Sequence, residues 1–188
     1  MRLALVCVLL AAFNAVAADN ARLKELFLAD QAVRQAEPDA GDVLTSTPED
    51  LERQKTVLEQ IAAGKLTTSA DYFHAAVVFQ HGATTENIAL AYSLATIATR
   101  MQPTHPYAQF LTAAAWDRLM KRMGKPQWYG TQYMNGPNGK YELYRIDEQA
   151  VTDQDRARLG VPPLAASQER IRKMNGALEF PRFSGQFA

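Results

Sequence analysis

The chain's only cysteine, Cys7, lies in a stretch laid out like a secretory signal peptide, so the folded part is expected to hold together without a disulfide. Met1-Arg2 gives a short positive start, Leu3 to Leu10 is wholly apolar, and Ala15-Val16-Ala17-Ala18 offers small residues before Asp19. The apolar run is interrupted at Asn14 and falls short of the ~20 residues that a bilayer span requires. A lipobox wants a small residue where Val6 precedes Cys7, which favours simple cleavage over lipidation. The expected organisation is a signal peptide over 1–18, a single helical domain over 19–176 and a C-terminal tail over 177–188, exported to the periplasm or the medium.

Cleavage after Ala18 would leave 170 residues, enough for one domain with its own core. Losing Arg2 would take the balance of 20 basic and 20 acidic residues to a net charge of −1. Such a chain has no basic surplus with which to neutralise phosphates, so nucleic acid is not an expected partner. No later segment is apolar enough to enter a membrane. A glycine-rich phosphate loop, a Gly-x-Ser-x-Gly elbow and an EF-hand loop are all missing, so no cofactor and no metal is expected.

The fold class read from the pattern is mainly α, about six to seven helices with one small β-hairpin near residues 127–146. A first helix is expected over Ala21–Gln35, with Leu23, Leu26, Phe27, Asp30, Val33 and Arg34 at helical spacing. Glu37-Pro38-Asp39-Ala40-Gly41-Asp42 breaks it, and Thr47-Pro48-Glu49-Asp50 opens a second helix that stops at Gly64. A third runs from Thr68 or Ser69 to Gln80-His81. A fourth runs from near Thr84 to Met101, and a fifth from about Pro106 to Met123. The run Ala113-Ala114-Ala115 predicts close antiparallel packing of the fourth and fifth helices. Gln127–Met134 and Lys140–Ile146 are aromatic runs around a Gly/Asn turn, the signature of a hairpin. Thr152-Asp153-Gln154-Asp155 starts a short helix, and Pro162-Pro163 precedes a last one to about Met174.

Candidate chemistry gathers where the fifth helix stops. His74 and His81 stand two turns apart on the third helix and could form a metal or acid–base site, or be core histidines bonded to backbone or a buried acid. His105 reads as an exposed loop residue. Asp117 continues the face of Phe110, Ala113 and Ala114 and could orient His81; its ordinary alternative is a surface pair with Lys121. A buried Arg118 would need an acid such as Glu142 or Asp147. On an extended strand, Gln127, Tyr129 and Thr131 would share one face, presenting amide, phenol and hydroxyl to a neutral polar ligand. The same residues could instead lock the hairpin to the helices. The catalytic candidates are therefore His81 and Asp117, and the ligand-binding candidates Gln80, Arg118, Gln127, Tyr129, Thr131 and Gln132.

Asp30-Gln31-Ala32-Val33-Arg34, Gln80-His81, Asp117-Arg118, Gly124-x-x-Gln127-x-Tyr129-Gly130-Thr131-Gln132 and Asp155-Arg156-x-x-Leu159-Gly160 together resemble a bacterial family catalogued as domain of unknown function 6624. The likeness spans about Leu23 to Leu164. It implies a mostly helical, often exported domain and carries no reaction. Two functions then compete. One is a site that binds or hydrolyses a small polar ligand. The other is a tetratricopeptide-like interaction module facing an envelope protein, suggested by the helix pair over residues 85–123. The residues leave open whether the protein is an enzyme.

Overall fold

Threonine begins most of the helices in this computed structural model, which describes residues 17–36, 46–136 and 139–176. Helix α1 spans Ala21–Ala36, α2 Pro48–Ala62, α3 Ser69–Gln80, α4 Thr85–Met101, α5 Pro106–Arg122, α6 Asp153–Arg158 and α7 Leu164–Gly176. Thr47, Thr68 and Thr152 each form a capping box with the aspartate three residues on, and Thr84 caps α4 through Asn87. A hydroxyl that accepts an otherwise orphaned N–H fixes a helix start locally, which is why these starts follow the sequence closely. Beyond α2, α5 and α6 the chain turns at Gly64, Gly124 and Gly160, each at φ +65, where a side chain would be strained.

The core forms around α3. Nine residues of this helix are buried, among them Phe73, Val77, Val78 and Phe79, and it packs on α1, α2, α4 and α5. A helix apolar on nearly all sides is what a central position demands. Small residues bring its neighbours close: Ala91, Ala95 and Ala98 of α4 and Ala108, Ala113 and Ala115 of α5 are fully buried. At one such approach Ser69 Oγ donates to the Ala98 carbonyl at 2.9 Å. The expected pairing of α4 with α5 is present. Because α3 is central, its last residues, Gln80 and His81, arrive between α1 and α5.

The hairpin is shorter than the aromatic runs suggest. Strand β1 is Tyr133–Asn135 and β2 is Tyr141–Leu143, antiparallel with Met134 opposite Glu142. Gln127 meets Ile146 only through an isolated bridge, and Trp128–Gln132 is a loop, not a strand. The expected alternation of faces over Gln127–Thr131 is therefore absent, for a reason that lies in Asp117. Residues 1–16 of the signal peptide expected over 1–18, the break at Glu37–Asp42, part of the hairpin turn and the tail 177–188 lie outside the described residues.

Candidate functional site

Asp117 is fully buried and gathers the loop that follows α5. Its carboxylate accepts from the backbone N–H of Trp128 at 2.8 Å, Tyr129 at 2.9 Å and Thr131 at 3.0 Å, and from the Thr131 hydroxyl at 2.9 Å. Adjacent N–H groups on an extended strand point to opposite edges, so Trp128 and Tyr129 can reach one carboxylate only because the loop curls. Burial pushes the Asp117 carboxyl above its usual range; the N–H groups of Tyr129, Thr131 and Trp128 and the Thr131 hydroxyl offset only part of that. From the other side Arg156, 3% exposed, donates through Nε to the Tyr129 carbonyl at 3.2 Å and through Nη2 to that of Trp128 at 3.0 Å. Its Nη1 reaches Asp153 at 3.0 Å.

Two glutamines complete this knot. Gln127, with no exposed surface, donates from Nε2 to the carbonyls of Gln132 at 2.9 Å and Tyr144 at 2.7 Å, and its Oε1 accepts from Gln132 N–H at 2.8 Å. Gln132 Nε2 donates to the Ala114 carbonyl at 3.3 Å, which ties the loop back to α5. Of the two roles open to these residues, the contacts are those of a lock between hairpin and helices. Gly130, at φ +81, passes so close to α7 that a Cβ would lie 3.3 Å from Leu164 Cδ1. Tyr129 enters the knot through its backbone, and burial raises its phenol above the usual range. A cavity of about 100 Å³ opens against the knot, lined by its Gly130 and Thr131 together with Phe110, Val161, Pro162 and Ser167.

His81 belongs to a different cluster. It caps the C-terminus of α3 with its side chain 19% exposed, and its Nδ1 lies 2.7 Å from Oδ2 of Asp30, which is 1% exposed. The acid that holds the imidazole is thus Asp30 of α1; Asp117 is occupied by the loop. A carboxylate can only accept, so Nδ1 carries the proton, and in the neutral ring Nε2 is the acceptor nitrogen. Nε2 has no protein partner among the described residues. Gln31 Nε2 also donates to Asp30 Oδ2, at 3.0 Å.

Beyond Asp30 the cluster continues into α2. Arg34 lies 3.9 Å from Asp30 Oδ1 and donates to Asp50 Oδ1 at 2.9 Å, an oxygen that Arg53 also contacts. Burial pushes the Asp50 carboxyl up, but the Thr47 N–H, Arg53 and Arg34 together hold it below the usual range. On the α5 side Arg118 is half-buried, so the condition for an acid such as Glu142 or Asp147 does not arise; its Nη1 donates to the Gln80 carbonyl at 3.0 Å, and Arg122 reaches the Gly82 carbonyl at 3.3 Å. The Gln80 side chain is 5% exposed, and its Oε1 is buried without a hydrogen-bond partner among the described residues.

The structure therefore divides the residues singled out in the sequence. His81 meets Asp30, with Gln80 and Arg118 joined beside it at the end of α3, while Asp117, Gln127, Tyr129, Thr131 and Gln132 form the knot. His74 stacks on Phe27 with ring centroids 4.7 Å apart, and His105, expected as a loop residue, is the N-cap of α5, accepting from Ala108 N–H at 3.2 Å. Asp30 could have been found from its spacing: it continues the buried stripe of Leu23, Leu26 and Phe27, where an unpaired acid would be costly. Asp50 was masked by its capping role, and Arg53 and Arg156 carry no local signal. Set against known families, curated proteins and solved structures, this mainly α domain with its small hairpin matches none.

Proposed function

We propose that the protein is an exported helical domain whose working site is the Asp30–His81 dyad, with His81 Nε2 taking or giving a proton on a small polar ligand. The observation that carries this reading is the contact between a sealed carboxylate and Nδ1 of a partly exposed imidazole, which leaves Nε2 as acceptor. A charged pair hidden within a core would expose neither partner; here the imidazole alone reaches the surface. Among the described residues the dyad's hydrogen-bond partners include no serine, threonine or cysteine. The proton that His81 takes would therefore come from water or from a hydroxyl of the ligand itself, as in a hydrolysis without a covalent intermediate.

Membership of the uncharacterised family catalogued as domain of unknown function 6624 is part of the same proposal. Its support is that the quoted elements sort into two contact groups, one at the dyad and one at the knot. Export is supported by the start of the fold: Ala17, Ala18 and Asp19 are exposed, whereas Asn20 N–H donates to Asp71 Oδ1 at 2.7 Å. A cut between Ala18 and Asp19 would thus fall among exposed residues and keep the Asn20 anchor.

Native mass spectrometry of protein purified from its own compartment tests the site. Wild type is expected to retain a small molecule that His81→Ala has lost; a ligand held equally by both would overturn the reading. N-terminal sequencing of the same sample is expected to begin at Asp19, and a start at Met1 would refute export.

A further inference from the structure

We propose that Arg34 and Arg53 form a clamp for an oxyanion beside His81, and that the ligand of the site carries a carboxylate or phosphate group. The inference builds on the Asp30–His81 reading but stands on a separate observation, the way the two guanidinium groups are partnered. Each offers five N–H donors in a fixed fork. Among the described residues Arg34 makes one hydrogen bond, from Nη2 to Asp50 Oδ1, and Arg53 makes one, to the same oxygen. The remaining carboxylate oxygen of Asp50 is taken by the Thr47 N–H at 3.1 Å. Asp30, 3.9 Å from Arg34, attracts it without a hydrogen bond and is held by His81 and Gln31.

Two positive groups thus converge on one acceptor. Both Nε atoms are buried without a partner among the described residues, while the side chains keep 18% and 12% of their surface. Arg156 shows what this chain does with an arginine whose work is internal: Nε, Nη1 and Nη2 all donate. Against that standard the donors of Arg34 and Arg53 are under-used. An oxyanion matches the fork geometry of guanidinium bidentately, which water and neutral amides do not. The pair does not reflect a generally basic surface either, because basic and acidic residues balance at 20 each. Asp30 lies 3.9 Å from Arg34 and 2.7 Å from His81 Nδ1, so clamp and imidazole are linked through one carboxylate.

Inorganic phosphate, with acetate as a second probe, is titrated into the purified protein while the Arg side-chain N–H and His81 ring resonances are followed. Saturable binding in the millimolar range is expected for at least one probe. It should weaken at least ten-fold in Arg34→Lys and in Arg53→Lys, which keep the charge and lose the fork. Circular dichroism of these variants, unchanged from wild type, excludes misfolding as the cause. Binding that never saturates, or that the lysine variants retain in full, overturns the clamp. The failures are separable. Phosphate on the arginines with a native ligand indifferent to His81→Ala leaves the clamp and removes the dyad. Ligand loss in His81→Ala, with phosphate ignoring the arginines, does the reverse.

Discussion

Asp117 and Asp30 lie within long helices, and both are sealed from solvent, at 0% and 1% exposure. They differ in what they hold. Asp117 collects backbone N–H groups from one loop, and its neighbours Gln127 and Arg156 use their polar atoms inside the protein. Asp30 holds a side chain that reaches the surface, and around it Gln80 Oε1 and the Nε atoms of Arg34 and Arg53 lack partners among the described residues. Buried polar groups are nearly always satisfied, so an under-satisfied cluster indicates a place where something else completes the bonding. The knot keeps the loop's shape; the seam between α1, α2 and α3 has bonding capacity to offer.

The largest expected effect tests the first half of that contrast. Asp117→Ala leaves three N–H groups and a hydroxyl without their buried acceptor, and should cost about 3–5 kcal/mol of stability. Urea unfolding measures it, and a loss below about 1 kcal/mol would mean that water or another acceptor replaces the carboxylate. Gly130→Ala probes the same loop more gently. The positive φ should cost about 1–2 kcal/mol, with Leu164 giving way by a few tenths of an ångström. A neutral result would show the loop able to relax, and would weaken the view of the knot as a rigid unit.

Asp30→Asn should behave differently. The amide can still accept from Nδ1, so stability should fall by only about 1 kcal/mol, comparable to a single hydrogen bond. The ring should instead lose its fixed tautomer, because the amide can also donate. Ring nitrogen shifts of His81 report this, and native mass spectrometry should show the ligand gone. A variant as unstable as Asp117→Ala would erase the distinction between the two clusters.

How far the sequence foretells these clusters follows from the range of the interactions. Helix starts were readable because the Thr47–Asp50, Thr68–Asp71 and Thr152–Asp155 boxes close within three residues. The polar residues of α3 and α5 were also readable as residues of interest. Their pairing was not, because Asp30 and His81 are 51 positions apart and nothing local distinguishes one buried acid from another. The loop misled for a related reason. Gln127-Trp128-Tyr129 has the composition of a strand, yet Asp117, ten positions or more earlier in the chain, overrides the local preference.

The smallest effect concerns a histidine outside both clusters, and acid pH brings it out. His74 stacks on Phe27, and its Nδ1 is buried without a partner among the described residues. Burial holds its pKa below the usual value; Asp19 and Asp71 pull upward, while Lys24 and His105 add to the lowering. The folded protein therefore prefers the neutral ring more strongly than the unfolded chain does. The stability this contributes is fully present above about pH 6.5 and is lost as pH falls toward the lower folded value. His74→Phe keeps the stacked ring without a titrating group, so near pH 7.5 it should lie within about 1 kcal/mol of wild type. Below about pH 6.5 it should lose less stability than wild type with each step of acidification. His105, also held low by burial, stays in both proteins, so the difference between their urea midpoints isolates His74. Parallel pH profiles would mean that the ring takes up its proton without disturbing the α1–α3 contact, and the seam beside His81 would then be the more tolerant of charge for it.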